Sequence, residues 1–307
     1  GEGDGVAQGP VFVPYTLPGE RVMAAGGGDR RELVELIEPS AQRIAPACKH
    51  FGSCGGCALQ HWEHEPYLAW KVEGLAGTLA LQHLETEILA PFAARPATRR
   101  RVALHARKGN RDRARLGYKA RKSWDLVDTE TCPISDPRIE AALPALKALA
   151  APLFEHPKSA PTLHVTLADS GLDVDITGGG AKGGGLSADA RMELAERAQA
   201  GGFARVTLAG EPAYLEQAPV VRLGMATVTL PPGAFLQATP DAQPAMVDFV
   251  TREAAGAGRI ADLFCGVGTF TFPLAEFAPV HAADFTAGAI RALGGALASA
   301  PGLKGVT

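Results

Sequence analysis

The stretch from Arg259 to Asp284 limits the possible folds more than any other part of the chain. It reads Arg259-Ile260-Ala261-Asp262-Leu263-Phe264, a short apolar strand, and then Cys265-Gly266-Val267-Gly268-Thr269, a glycine turn. A helix from Phe270 to Phe277 follows, then a second strand from Val280 to Ala283 that ends on Asp284. Strand, glycine turn, helix, strand and acid in that order open a doubly wound α/β sheet, whose ligands bind at the carboxyl ends of the strands. The glycines let a ligand approach the backbone, and the acid eighteen residues beyond Gly266 is spaced to hydrogen-bond ribose hydroxyls. A dinucleotide site asks for G-x-G-x-x-G, and the third glycine position holds Thr271. The shorter turn suits a nucleoside without a pyrophosphate, such as S-adenosylmethionine, better than NAD or FAD.

A second constraint lies in the cysteines. Cys48, Cys54 and Cys57 stand at C-x5-C-x2-C spacing, and Cys132, followed by Pro133, comes far downstream. Structural zinc usually takes two separated short pairs, whereas three clustered cysteines with a remote fourth before proline read as iron-sulfur ligation of the 4Fe-4S type. Zinc, disulfides and buried free thiols are the alternatives that spacing leaves open. Gly55 and Gly56 suit backbone folded closely around such a site.

With 307 residues, 46% of them hydrophobic, the chain has material for two or three domains with their own cores. No run of eighteen apolar residues occurs, and Gly-Glu-Gly-Asp-Gly at the N-terminus lacks the features of a signal sequence, so a soluble cytoplasmic protein without membrane contact is expected. The formal net charge of -3 hides a local excess: eleven Lys or Arg lie between Arg99 and Lys122 against one acid, Asp112.

Taken in order, residues 1–47 carry short β-like runs at Val11–Val13, Glu20–Met23 and Leu33–Ile37, suggesting a small OB-like barrel whose first strand is missing. Glu65 to His83 reads as a helix with Leu68, Val72, Leu75 and Leu79 as a buried stripe. The basic segment alternates like two strands and interleaves Tyr118 and Trp124, as expected of a surface that tracks phosphates and stacks bases. Leu163 to Thr177 makes a hairpin around Asp169-Ser170-Gly171, and the glycine-rich run 178–185 reads as a loop without the P-loop ending. Ser187 caps a helix running through Ala200; strands at 204–208, 220–223 and 226–230 and a helix from Asp241 to Glu253 follow.

The four cysteines, Phe235-Leu236-Gln237 and Asp262 to Phe270, in this order, make the chain resemble the bacterial RNA uracil-5 methyltransferases that carry an iron-sulfur cluster. The resemblance implies a multidomain α/β protein: a partial TRAM-type barrel at 1–47, a central α+β iron-sulfur domain with the basic hairpin at 48–238, and the start of a Rossmann-like methyltransferase domain at 239–307. It implies a 4Fe-4S cluster on Cys48, Cys54, Cys57 and Cys132, and S-adenosylmethionine held by Gln237, Phe264, Gly266, Gly268, Thr269 and Asp284. RNA, ribosomal ahead of transfer RNA, would lie against Arg99, Arg100, Arg101, Arg107, Arg115, Lys119 and Arg121; the sequence leaves the oligomeric state open, with a monomer the first expectation. In the family a cysteine attacks C6 of a flipped-out uracil, C5 takes the methyl group and a base removes the C5 proton. Neither the Asp-Pro-Pro-Arg-type nor the Ser-Cys-Asn-Pro-type segment of that chemistry occurs here, so no catalytic residue is expected within the 307, and a truncated sequence, inactive alone, is expected. The rival expectation is an RNA-binding iron-sulfur module without chemistry of its own.

Overall fold

The structure, a computed structural model, describes residues 3–110, 113–156, 158–179 and 185–307. Residues 180–184 of the expected glycine loop, and Arg111 and Asp112 of the basic segment, lie outside the described residues. The chain divides into two compact units, residues 1–93 with 118–127, and residues 94–117 with 128–307.

In the first unit β1 (Gly5–Ala7) pairs antiparallel with β2 (Val11–Val13), and β3 (Arg21–Ala25) with β4 (Glu32–Glu38). In the region expected to form a small barrel lacking its first strand, the described residues form these two antiparallel pairs, joined by an isolated bridge between Phe12 and Arg30. The pairs are braced by Glu20, whose carboxylate accepts from the backbone N–H of Leu17 at 2.8 Å and Ser40 at 3.1 Å and from Arg43 Nε at 2.5 Å. α1 (His64–Leu81) forms where the apolar spacing predicts a helix, but it buries no residue, and Leu75 is half exposed. Its first turns pack through the rings of Tyr67 and Trp70 against Trp62.

Through the second unit run β5 (Arg101–Arg107), β6 (Arg115–Lys119), β7 (Leu126–Asp128), α2 (Pro137–Ala141), α3 (Leu143–Leu149), β8 (Thr162–Ala168) and β9 (Gly171–Thr177). α4 (Ala188–Ala200), β10 (Arg205–Leu208) and β11 (Glu211–Leu215) complete a seven-stranded sheet ordered β11-β10-β9-β8-β5-β6-β7. The chain passes between the two units within β6 and again within β7. β9 and β10 are parallel, which requires the α4 crossover between them; Ser187 caps α4 by accepting from the Ala190 N–H. Val102, Leu104 and Ala106 alternate inward along β5, and Leu104, Leu163, Ile176 and Leu194 are fully buried, each contributing about 1.5–3 kcal/mol.

The rest of this unit is β12 (Val220–Leu223), β13 (Ala226–Thr229), α5 (Ala242–Glu253), β14 (Ile260–Leu263), α6 (Thr271–Ala275), β15 (Val280–Ala283) and α7 (Ala287–Leu297). β12 and β13 form a hairpin, and β14 pairs parallel with β15. Val306 bridges parallel to Val280, as expected of a third strand at the end of the sequence. A core of Val221, Leu223, Val228, Leu236, Val267, Phe272 and Leu293 joins the hairpin, the glycine turn and α7. No helix among the described residues is long and apolar enough to cross a membrane.

Candidate functional site

The glycine turn leaves the carboxyl end of β14 with Phe264 at φ +62°, Gly266 at φ +56° and Gly268 at φ +100°, three positive values within five residues. The Phe264 and Phe285 side chains stand out, at 81% and 90% exposure, beside the ends of β14 and β15. Asp284 ties those ends together. Its Oδ2 accepts from Gly266 N–H at 3.0 Å and its Oδ1 from Thr286 N–H at 2.7 Å. The Thr286 bond, ahead of the Gly266 bond, holds this carboxyl below the usual range. Each carboxylate oxygen keeps a second lone pair, so the group that orders the turn also has acceptor capacity for a ligand hydroxyl.

Asp262 accepts from the Thr271 hydroxyl at 2.6 Å, holding α6 against β14; burial raises its carboxyl. Cys265 is buried, and its thiol is pushed up to about 11, by burial first and then by Asp262 and Asp284. Burial and the two neighbouring carboxylates therefore favour the neutral thiol over the thiolate.

The structure brings Phe264, Gly266 and Asp284 together at the strand ends. Thr269 is buried and lines a cavity of about 410 Å³ shared with Gln243, Val247 and Pro273, which does not include those three residues. Gln237 follows Leu236, which is fully buried in the core that contains Cys265 and Val267. Phe285, an exposed aromatic residue directly after the strand-end acid, stands beside the predicted residues although nothing in the spacing singles it out.

Cys48, Cys54 and Cys57 lie on successive turns of the first unit, none in a disulfide. Cys54 bridges to Ala120, and Gly55 N–H donates to Lys119 O at 2.9 Å, so the loop is tied to the end of the basic hairpin by backbone. A Cβ on Gly55 would meet Lys119 O at 2.8 Å, which is why glycine stands there. Cys132 belongs to the second unit. Among the described residues no three His, Cys, Asp or Glu side chains are gathered as a ligand set.

The basic segment forms the expected hairpin of β5 and β6, but its charges have different employments. Arg100 is buried: it donates from Nε to Gln237 O at 2.9 Å and from Nη2 to Gln243 Oε1 at 2.7 Å. Arg101 donates to Leu236 O at 3.0 Å and lies over the Phe235 ring at 4.8 Å. Arg121 pairs with Asp4 at 2.6 Å in the first unit, and Lys119 sits over the exposed ring of Trp124 at 3.8 Å. Arg99 is exposed, bonded to Arg101 O, and Arg107 faces Arg115 in register across the ladder.

A parallel strand pair joined through a glycine turn, with an acid closing the second strand, defines an α/β methyltransferase-like fold. The crystal structure of a tRNA (uracil-54, C5)-methyltransferase from Pyrococcus abyssi, in complex with S-adenosyl-L-homocysteine, has this fold. It matches with a TM-score of 0.69 at 21% identity, over 99% of this chain and 75% of that one. No family profile matches the chain. An uncharacterized RNA methyltransferase of Caulobacter vibrioides is 61% identical over 311 residues, covering 100% of this chain and 75% of that protein. One from Brucella suis is 40% identical over 99% of this chain and 73% of its own length. The 23S rRNA (uracil(1939)-C(5))-methyltransferase RlmD of Alkalilimnicola ehrlichii is 32% identical over 90% of this chain and 66% of that protein. The chain belongs to the RNA methyltransferase family.

Proposed function

We propose that the chain serves an RNA uracil-C5 methyltransferase that uses S-adenosylmethionine and acts on 23S ribosomal RNA. The observation that carries this reading is the turn at Phe264–Gly268, closed by Asp284 at the carboxyl ends of two parallel strands. The bound cofactor supplies an electrophilic methyl group on sulfonium. In this reading Gly266 leaves space beside the backbone, Asp284 accepts from ribose hydroxyls, and the Phe264 and Phe285 rings cover the purine. Gly268, Thr269 and Gln237 belong to the same proposed site, the first two by shaping the turn and its buried side. The substrate reading is supported by the 23S rRNA relative, and the cofactor by the homocysteine-bound structural neighbour. The covalent step is assigned to no residue of this chain. Arg99, Arg107 and Arg115 in the second unit, and separately Lys119 with Trp124 in the first, are proposed to carry RNA, while Arg100, Arg101 and Arg121 are already engaged within the protein.

Equilibrium binding of S-adenosyl-L-homocysteine tests this reading. The protein is expected to bind it saturably, and Asp284→Asn to weaken binding about tenfold, the scale of one charge-assisted hydrogen bond. Equal affinity in Asp284→Asn removes the assigned role of that carboxylate.

The barrel of TRAM type, the three-domain division and the cluster stay proposals, the last supported by four cysteines outside any disulfide at family spacing. Iron and acid-labile sulfide in anaerobically purified protein decide it: about four of each per chain are expected, and their absence, or zinc in their place, contradicts the cluster.

A further inference from the structure

The segment from Pro231 to Thr239, which contains Phe235 and Gln237, has neither helix nor strand, so no ladder satisfies its carbonyls. Arginine side chains from the large sheet and its approach do so instead. Arg205 Nη1 donates to Leu230 O at 2.9 Å, Arg101 Nη1 to Leu236 O at 3.0 Å and Arg100 Nε to Gln237 O at 2.9 Å. Arg100 adds its backbone N–H to Ala238 O at 2.8 Å and, through Gln243, reaches α5. Arg205 is itself fixed by two bonds to the buried Asp173 carboxylate, at 2.8 and 2.7 Å. A surface arginine that tracks phosphate keeps its fork free for solvent and ligand, whereas Arg100 and Arg101 each direct a donor to a main-chain oxygen of this segment, and Arg205 braces its start at Leu230 O. Arg100 is only 7% exposed.

We propose that Arg100 and Arg101 are positioning residues for Gln237 and Phe235, and that they do not contact RNA phosphates. Resting on the reading of Gln237 as part of the cofactor and target-base site, this converts two members of a triple-arginine run from a nucleic-acid role to that of a clamp. The planar guanidinium matters, because one face stacks on Phe235 while an edge reaches Leu236 O; a lysine ammonium cannot do both.

The test compares Arg101→Met, Arg101→Lys, Gln237→Ala and the Arg101→Met/Gln237→Ala double variant, with Arg107→Met as the phosphate control. Hydrogen exchange of the 230–240 peptide is expected to speed up in both Arg101 variants without any ligand present. Affinity for S-adenosyl-L-homocysteine is expected to fall about five- to tenfold in Arg101→Met and in Gln237→Ala, and no further in the double variant. The salt slope of binding to a single-stranded uridine-containing RNA should stay at the wild-type value in Arg101→Met and drop by about 0.7 in Arg107→Met. Unchanged exchange at 230–240, or a salt slope that drops in Arg101→Met, overturns the clamp. Faster exchange with wild-type ligand affinity in Gln237→Ala overturns the cofactor role of Gln237, and with it the positioning role, while leaving the carbonyl bonds themselves supported.

Discussion

Gly268→Ala is expected to destabilise the second unit by about 2–4 kcal/mol, from a left-handed backbone penalty and an overpacked core together. Gly268 stands at φ +100°, and a Cβ there would lie 2.5 and 2.8 Å from two ring carbons of Phe272 and 3.3 Å from a Leu293 methyl. Phe272 is completely buried, so the ring has nowhere to retreat. Two residues earlier the same substitution has a different meaning. Gly266 has φ +56° with nothing within 4 Å of the position of a Cβ, so Gly266→Ala costs about 1 kcal/mol of backbone strain and leaves the core intact. Urea denaturation should therefore shift strongly for Gly268→Ala and slightly for Gly266→Ala. S-adenosyl-L-homocysteine affinity should fall in both, in the second case with the fold retained. Equal stability of the two variants would contradict the placement of Gly268 against the core.

Asp173→Ala has an expected cost of about 3–5 kcal/mol, because it strands a buried guanidinium. Asp173 and Arg205 are both under a tenth exposed and joined at 2.7 Å, and burial, ahead of the opposing Arg205 charge, raises the Asp173 carboxyl. Asp175, next on the same face of β9, accepts from the Thr207 hydroxyl at 2.6 Å and from Gly210 N–H at 3.0 Å, so the sheet carries a polar layer where an apolar one would pack more cheaply. Arg205 directs a further donor, on Nη1, to Leu230 O. The double variant Asp173→Leu/Arg205→Met is expected to recover most of the lost stability while still loosening the Pro231 to Thr239 segment. An unfolding free energy of Asp173→Ala within about 0.5 kcal/mol of wild type, the range of an ordinary surface change, would contradict the burial of this pair.

Local chemistry was legible in the sequence wherever it decided the structure alone. The parallel pair around the glycine turn, the Asp169-Ser170-Gly171 hairpin and the Ser187 cap each rest on neighbouring residues, and each is found where spacing predicts it. What was not legible depends on partners distant in the chain. A run of three arginines reads as a phosphate-binding surface, since nothing local shows that Gln237 O and Leu236 O, more than 130 residues on, will accept from two of them. The apolar spacing of α1 predicts the helix, but whether its stripe is covered depends on what packs there, and the stripe stays partly exposed. β11 is not among the strands the spacing predicts; Pro212 is tolerated in it because β11 is the edge of the sheet. The backbone shape of the glycine turn was legible from its glycines, whereas the placement of Thr269 toward the cavity beside Gln243 depends on α5, earlier in the chain.

Photolabelling locates the cofactor most directly. Ultraviolet irradiation of the protein with methyl-tritiated S-adenosylmethionine, followed by peptide mapping, should place the label in peptides containing Phe264 or Phe285, with competition by unlabelled S-adenosyl-L-homocysteine. Label confined to the α5–α6 cavity around Val247 and Pro273, or no competable label at all, would contradict a cofactor site at the carboxyl ends of β14 and β15.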